Sequence, residues 1–269
     1  MSQIKIVVIG NGMVGYKFCE RLVKKVPLED YSLTVFGEEY RPAYDRVHLS
    51  EYFTEQSDER LSMAPLEWYS QSGIDLVLGD PVVRVDTQAK KVHSHKGREQ
   101  AYDKLVFATG SAAFVPPIAG VDKSGIFVYR TIEDLDMIIA YGKKVKRAAV
   151  IGGGLLGLEA AKALLDMELE AHVVEFASRL MPRQLDEAGA QLLQEKIESL
   201  GVRIHLNKAT THFRGQEAVS GLAFKDGTQL DVDMVVISAG IRPRDEVARL
   251  ANLAVGERGG IVVNNRMQT

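Results

Sequence analysis

Cysteine is nearly absent: Cys19 is the only one in 269 residues. One thiol excludes an intrachain disulfide, a CxxC redox pair and an iron–sulfur cluster held by four thiolates of this chain. Long hydrophobic runs are missing too, and the apolar stretches fall far short of the ~20 residues that span a bilayer. Neither sign of charge dominates. With 33 Lys+Arg against 36 Asp+Glu the net charge is −3, so nothing global favours nucleic acid or an anionic membrane as a partner. No low-complexity segment interrupts the chain, and the Lys143-Lys144-Val145-Lys146-Arg147 run reads as a solvated face before a strand. What is present, 46% hydrophobic and 26% charged residues, is the balance of a soluble globular protein. At roughly 150 residues per domain the length predicts about two domains. The chain enters a strand pattern at Ile4 without the basic start and cleavage site of a signal peptide, which places it in the cytoplasm.

Two stretches follow one plan. Ile4-Lys5-Ile6-Val7-Val8-Ile9 ends in Gly10-Asn11-Gly12-Met13-Val14-Gly15, and a helical pattern over 16–26 then stops at Pro27. Ser32-Leu33-Thr34-Val35-Phe36 leads into Gly37-Glu38-Glu39, giving a βαβ unit with an acid where its second strand ends. Later, Ala148-Ala149-Val150-Ile151 runs into Gly152-Gly153-Gly154-Leu155-Leu156-Gly157, a helix follows through about Met167, and Ala171-His172-Val173-Val174 ends at Glu175. Each copy continues alike. Gly73-Ile74-Asp75-Leu76 opens a strand-rich stretch that closes at Ala108-Thr109-Gly110; Gly201-Val202-Arg203-Ile204 opens another, which passes the hairpin signal Lys225-Asp226-Gly227-Thr228 and closes at Ser238-Ala239-Gly240. The fold class is therefore α/β, with two Rossmann-like dinucleotide-binding domains. Pro116-Pro117 and Pro243 mark the joints between them, and Gly260-Ile261-Val262-Val263 reads as one more strand.

A diphosphate must approach the unpaired N–H groups at a helix start, where the helix dipole favours negative charge. In each copy the first glycine (Gly10, Gly152) makes the turn, the second (Gly12, Gly154) clears room for the diphosphate, and the third (Gly15, Gly157) lets helix and strand pack closely. Glu38 and Glu175 are positioned to accept hydrogen bonds from ribose hydroxyls, a role that disfavours a 2′-phosphate. Two dinucleotide sites in one chain suggest a carrier handing a hydride to a second carrier, for which a flavin is suited because it takes two electrons and releases them singly. Cys19, without a partner thiol, reads as core packing, so the electrons leave for another domain or partner.

These motifs resemble the pyridine nucleotide–disulfide oxidoreductase-like flavoproteins, in which an FAD domain is interrupted by an NAD domain. Within that family, the run from Gly37 through Arg41-Pro42-Ala43-Tyr44-Asp45-Arg46-Val47-His48-Leu49-Ser50 is similar to the FAD-contacting segment of the NADH-dependent nitrite reductase large subunits. So are Phe127-Val128-Tyr129-Arg130-Thr131-Ile132-Glu133-Asp134-Leu135 and the second glycine turn with Leu158-Glu159-Ala160-Ala161. The resemblance implies that Arg46 contacts FAD, that Thr109-Gly110 closes over it, and that Glu159 lies near the nicotinamide. Related ferredoxin and rubredoxin reductases carry a lysine soon after the Arg-x-x-Leu-Ser segment, whereas here Glu51 follows Ser50. His93 and His95 alternate on one strand pattern without further ligands, and no metal site is read there.

The expected organisation is an FAD-binding domain over 1–115 and 241–269 and an NAD-binding domain over 116–240. The family places a Gly-Asp segment after the last stretch, so the FAD domain reads as incomplete. The iron–sulfur cluster and sirohaem of nitrite reduction would belong to parts beyond this chain. The reading is an FAD-dependent NADH oxidoreductase module passing electrons toward nitrite reduction to ammonium, through downstream iron–sulfur and sirohaem domains or an acceptor protein. A reductase of a separate ferredoxin, rubredoxin or haem partner, and a non-catalytic nucleotide-binding or assembly module, remain as alternatives.

Overall fold

The computed structural model describes residues 3–269. The chain forms two compact units, Met1–Val47, Ser57–Ala112 and Arg242–Thr269 in the first, His48–Gln56 and Ala113–Ile241 in the second.

In the first unit, β1 (Ile4–Ile9), α1 (Met13–Lys25) and β2 (Tyr31–Phe36) form the βαβ unit foreseen from the glycine spacing. With β3 (Ile74–Val77) and β7 (Lys104–Phe107) the strands form a parallel sheet in the order β3-β2-β1-β7. One face carries Val8, Leu33 and Val35 against Cys19 of α1 and Tyr69 of α3 (Leu66–Gln71). The other carries Val7, Ile9 and Phe36 against Val82, Val85 and Val92 of an antiparallel meander, β4 (Val82–Asp86), β5 (Lys91–Ser94) and β6 (Glu99–Ala101), and against Ala251 just past α7 (Glu246–Leu250). A central parallel strand covered on both faces must be apolar throughout, which is why Val7, Val8 and Ile9 do not alternate with polar residues.

Cys19 is fully buried, and loss of hydration pushes its thiol up to about 12. At pH 8 the thiolate needed for attack is scarce. The native chain is therefore expected to resist a disulfide-exchange reagent that reacts promptly in urea; equal rates in the two conditions would refute this placement.

Two short strands, β8 (Ser111–Ala113) and β17 (Ile241–Pro243), lie where the chain leaves and re-enters the first unit. The second unit repeats the plan. Its parallel sheet has the order β12-β11-β10-β16-β9, from β9 (Ile126–Val128), β10 (Arg147–Ile151), β11 (Glu170–Val174), β12 (Arg203–His205) and β16 (Met234–Ile237). α5 (Leu155–Asp166) buries Leu158, Ala161 and Leu164. The opposite sheet face, with Ala149, Ile151, Val174 and Ile237, is covered by Phe213, Leu222 and Phe224 of a second meander, β13 (Thr210–Arg214), β14 (Gly221–Phe224) and β15 (Gln229–Leu230). The hairpin signal lies between β14 and β15, with Gly227 at φ +82°. α4 (Ile132–Gly142) and α6 (Glu187–Ser199) complete the unit.

Two features differ from the sequence reading. His48–Gln56, including α2 (Tyr52–Glu55), groups with the second unit. Tyr52 Oη donates to Asp136 Oδ1 at 2.8 Å, and the Phe53 ring stacks on Tyr129 at 6.0 Å. Gly260-Ile261-Val262-Val263 forms only a single bridge, Val255 to Ile261. Gly259 and Gly260 take positive φ (86° and 88°), and the Gly260 amide donates to Asp245 Oδ2, so the backbone turns there instead of extending along a ladder.

Candidate dinucleotide sites

In each unit the glycine turn sits at the C-terminal ends of the parallel strands. Ile9 aligns with Phe36 and Phe107, and Ile151 with Val174 and Ile237, so the residues that follow these strands share one sheet edge. The three glycines of a turn do different physical work. Gly10 has φ +109° and Gly152 φ +118°, and a Cβ on either would lie 2.2 or 2.3 Å from the carbonyl oxygen of Ala108 or Ser238. A Cβ on Gly15 or Gly157 would lie 2.0 or 1.9 Å from the Gly10 or Gly152 carbonyl oxygen. A Cβ on Gly12 or Gly154 would meet nothing within 4 Å. First and third glycines are required by the fold, whereas the second leaves an open cradle over the helix start.

That cradle suits an anion. α1 and α5 begin at Gly12 and Gly154 with no side-chain cap and no acid in the first turn. By contrast, α4 and α6 are capped by Thr131 and Asp186, which accept from the Asp134 and Gly189 amides. In the first turn, Asn11 Oδ1 accepts from Tyr69 Oη at 3.1 Å, while Asn11 Nδ2 is buried without a hydrogen-bond partner. The residues present thus fit a dinucleotide in both units.

In the first unit, Gly10, Gly12, Gly15, Glu38, Thr109 and Gly110 lie along this edge. Glu38 is half-exposed and held by both terminal nitrogens of Arg244. Thr109 Oγ1 donates to the Arg244 carbonyl at 2.6 Å, and the Arg244 amide donates to the Gly110 carbonyl at 3.0 Å. Arg46 pairs with Glu39 and lies over the Tyr44 ring, 5.0 Å from its centroid. Tyr44 Oη also donates to Glu39 Oε2 at 2.8 Å. Arg244 and Asn11 are members of this edge that sequence spacing does not single out, whereas Glu39, the acid that competes with Glu38 for the strand-end role in the sequence, is taken up by Arg46 and Tyr44.

In the second unit, Gly152, Gly154, Gly157 and Glu175 share the edge with Ser238 and Ala239. Glu175 is only 6% exposed. Its carboxylate turns inward, accepting from the Gly153 amide at 2.6 Å and the Ala177 amide at 2.8 Å. It braces the glycine turn, and these two bonds take up about half of its four lone-pair sites. Glu159, in the second turn of α5, lines a groove of about 470 Å³ with Ser50, Phe53, Leu155, Leu158 and Ile197. Burial there raises its carboxyl above the ordinary range, against the opposing effect of His48.

Beside Glu175, the His205 carbonyl accepts the Glu175 amide, and the rings of His172 and His205 stack at 5.2 Å with Nδ1 of the first 2.9 Å from Nε2 of the second. His172 Nε2 is 3.2 Å from Glu170 Oε1. A carboxylate can only accept, so in neutral His172 the proton sits on Nε2 and Nδ1 accepts from His205. Desolvation lowers both histidines below their ordinary value; around them, Glu170 favours the charged His172, while Arg147, Arg203 and Lys208 oppose charging of one ring or the other. The unfolded chain then takes up protons first as pH falls below about 6.5, and stability drops by up to about 1.4 kcal/mol per pH unit and histidine until the folded-state values are passed. His172→Gln, which can donate to Glu170 and accept from His205, is expected to flatten the fall in Tm between pH 8 and pH 5.5. Parallel profiles for variant and wild type would refute it.

Among the described residues no helix is long and apolar enough to cross a membrane. Two parallel sheets that share the order of four strands, the second carrying β9 as a fifth, each with a glycine-lined anion cradle, define a double dinucleotide-binding protein. The chain belongs to the pyridine nucleotide-disulphide oxidoreductase family, which matches residues 4–269. It is 49% identical over 271 aligned residues to the nitrite reductase (NADH) large subunit of Escherichia coli K12, covering 100% of this chain and 32% of that protein. It is 37% identical over 270 residues to the assimilatory nitrate reductase electron transfer subunit of Bacillus subtilis, covering 100% of this chain and 35% of that protein. The crystal structure of reduced Bacillus anthracis CoADR-RHD superimposes with a TM-score of 0.93 at 25% identity, over 100% of this chain and 49% of that one. The chain thus spans about a third of the length of these curated relatives.

Proposed function

We propose that the chain is the NADH-oxidising flavoprotein module of a nitrite-reducing system, with FAD held by the first unit and NADH by the second. The observation that carries this reading is the pair of uncapped helix starts with open cradles at Gly12 and Gly154, each beside a strand-end acid. Gly10, Gly12 and Gly15 would seat the diphosphate of FAD, Glu38 its ribose, and Arg46, Thr109 and Gly110 further parts of the cofactor. Gly152, Gly154, Gly157 and Glu175 would do the same for NADH, with Glu159 toward the nicotinamide. When bound, FAD accepts a hydride from NADH and releases the electrons one at a time. The protein's own part is to bind and orient both nucleotides; hydride transfer of this kind needs no general base, so none is assigned. The acceptor, the iron–sulfur and sirohaem centres of nitrite reduction, would belong to further domains or a partner protein. The names of the nitrite and nitrate reductase relatives favour this acceptor over a separate ferredoxin, rubredoxin or haem protein.

The test is reconstitution with FAD followed by anaerobic NADH, with bleaching of the flavin band expected. A chain that binds FAD yet shows no bleaching would be a nucleotide-binding module only. NADH is expected to exceed NADPH at least tenfold in kcat/KM. A 2′-phosphate about 4 Å from the Glu175 carboxylate meets up to roughly 4 kcal/mol of repulsion at an effective dielectric near 20, and a third of that is a factor of ten. Equal values for the two nucleotides would remove Glu175 from this role.

A further inference from the structure

Glu38 is a poor ribose acceptor if considered alone. Its side chain is half-exposed, follows a glycine, and would sample many rotamers before meeting two hydroxyls. In the structure it is not alone. Arg244, 206 residues away, grips both carboxylate oxygens with its two terminal nitrogens. Such a fork takes one lone pair from each oxygen in a fixed plane and leaves the other two facing outward, the number a ribose 2′,3′-diol requires. The backbone of the same residue is fixed at two points: its carbonyl accepts from Thr109 Oγ1 at 2.6 Å, and its amide donates to the Gly110 carbonyl at 3.0 Å. The Arg244 fork is therefore mounted on the segment that ends β7, next to the Gly10 turn, since a Cβ on Gly10 would come within 3.1 Å of the Thr109 nitrogen.

From this we infer that Arg244 is a positioning residue for the dinucleotide site of the first unit: it orients the Glu38 carboxylate toward the ribose diol and ties it to the Thr109-Gly110 edge. The inference rests on the reading of that unit as the FAD site. It also explains why an exposed ion pair is bidentate, when single-point surface pairs are commonly loose. Lysine at 244 would keep the charge and the two backbone bonds but lose the fork.

The experiment titrates FAD into apoprotein of wild type, Arg244→Met and Arg244→Lys, followed by flavin fluorescence, and then measures displacement of FAD by ADP and by 2′,3′-dideoxy-ADP. Arg244→Met is expected to weaken FAD about tenfold and Arg244→Lys about fivefold, the scale of a lost charge-assisted contact, with apoprotein Tm unchanged for Arg244→Lys. ADP should lose its advantage over the dideoxy analogue in both variants, because only the diol reads Glu38. A change confined to folding would weaken the two analogues equally and would overturn the inference. So would wild-type FAD affinity in Arg244→Lys, or affinity above wild type, which would make Arg244 a competitor for Glu38. No saturable FAD binding by wild type would overturn the reading of the unit and this inference with it.

Discussion

Gly154→Ala is expected to leave the chain folded and cost at least tenfold in NADH affinity, whereas Gly157→Ala, three residues on, is expected to destabilise the second unit itself. The contrast follows from where each new methyl group would go. At Gly154 the backbone has φ −85°, which alanine adopts freely, and the Cβ projects into open space. Alanine is a poorer N-cap than glycine but loses less entropy on folding, so the two effects on stability, each about 1 kcal/mol or less, largely offset. The space it fills is that in which, on the proposed function, a diphosphate would meet the α5 amides. At Gly157 the Cβ would be 1.9 Å from the Gly152 carbonyl oxygen, a backbone atom that moves only with the turn. Overpacking of this kind costs about 1–3 kcal/mol or more. Thermal denaturation and nucleotide titration of both variants separate the effects. Loss of fold in Gly154→Ala, or full stability in Gly157→Ala, would show that the glycine roles are misassigned.

Glu175→Ala is expected to lose NADH binding and not to convert the site to NADPH. Removing the carboxylate deletes the charge that repels a 2′-phosphate, but also leaves the Gly153 and Ala177 amides without their acceptor in a region where Glu175 is 6% exposed. An unpaired amide costs about 1–3 kcal/mol when buried, as at Gly153, and less when part-buried, as at Ala177, so the second unit should be destabilised by at least about 1–3 kcal/mol and the turn should loosen. Glu175→Gln retains one acceptor oxygen and should fall between. The measurements are Tm and the affinities for NADH and NADPH. An alanine variant as stable as wild type, with NADPH now bound tightly, would mean that the brace contributes little.

Local spacing made much of this legible. The strands ending at Ile9 and Ile151, the helices after them and the glycine spacing between them depend on residues within about a dozen positions of one another, where periodicity acts directly, although the crowding at Gly10 and Gly152 comes from the distant Ala108 and Ser238. The repeat of Ala108-Thr109-Gly110 by Ser238-Ala239-Gly240 likewise appears at matching strand ends. What stayed hidden is non-local. No spacing rule couples Glu38 to Arg244, Arg46 to Glu39, or His172 to His205, because those pairings are set by strand register and by where the chain turns or returns. Nor does composition change across His48–Gln56, whose membership in the second unit is decided by the Tyr52–Asp136 bond and the Phe53–Tyr129 stack. Glu175 was legible as an acid at a strand end, but its inward turn depends on the Gly153 amide facing it.

The discontinuity of the first unit also sets an order of birth. Its parallel-sheet strands are all complete at Phe107, yet Arg244 and the Ala251 contact to the sheet come only after Ile241. At about 5–20 residues added per second, the intervening ~130 residues take roughly 7–26 s to synthesise. During that interval the nascent first unit holds Glu38 without Arg244, and the Thr109-Gly110 edge lacks the returning backbone. The second unit, complete at Ile241, can close on the ribosome first. Pairing of Glu38 with Arg244 thus waits for the segment that begins at Arg242, a delay that a circular permutant placing residues 242–269 at the front would abolish.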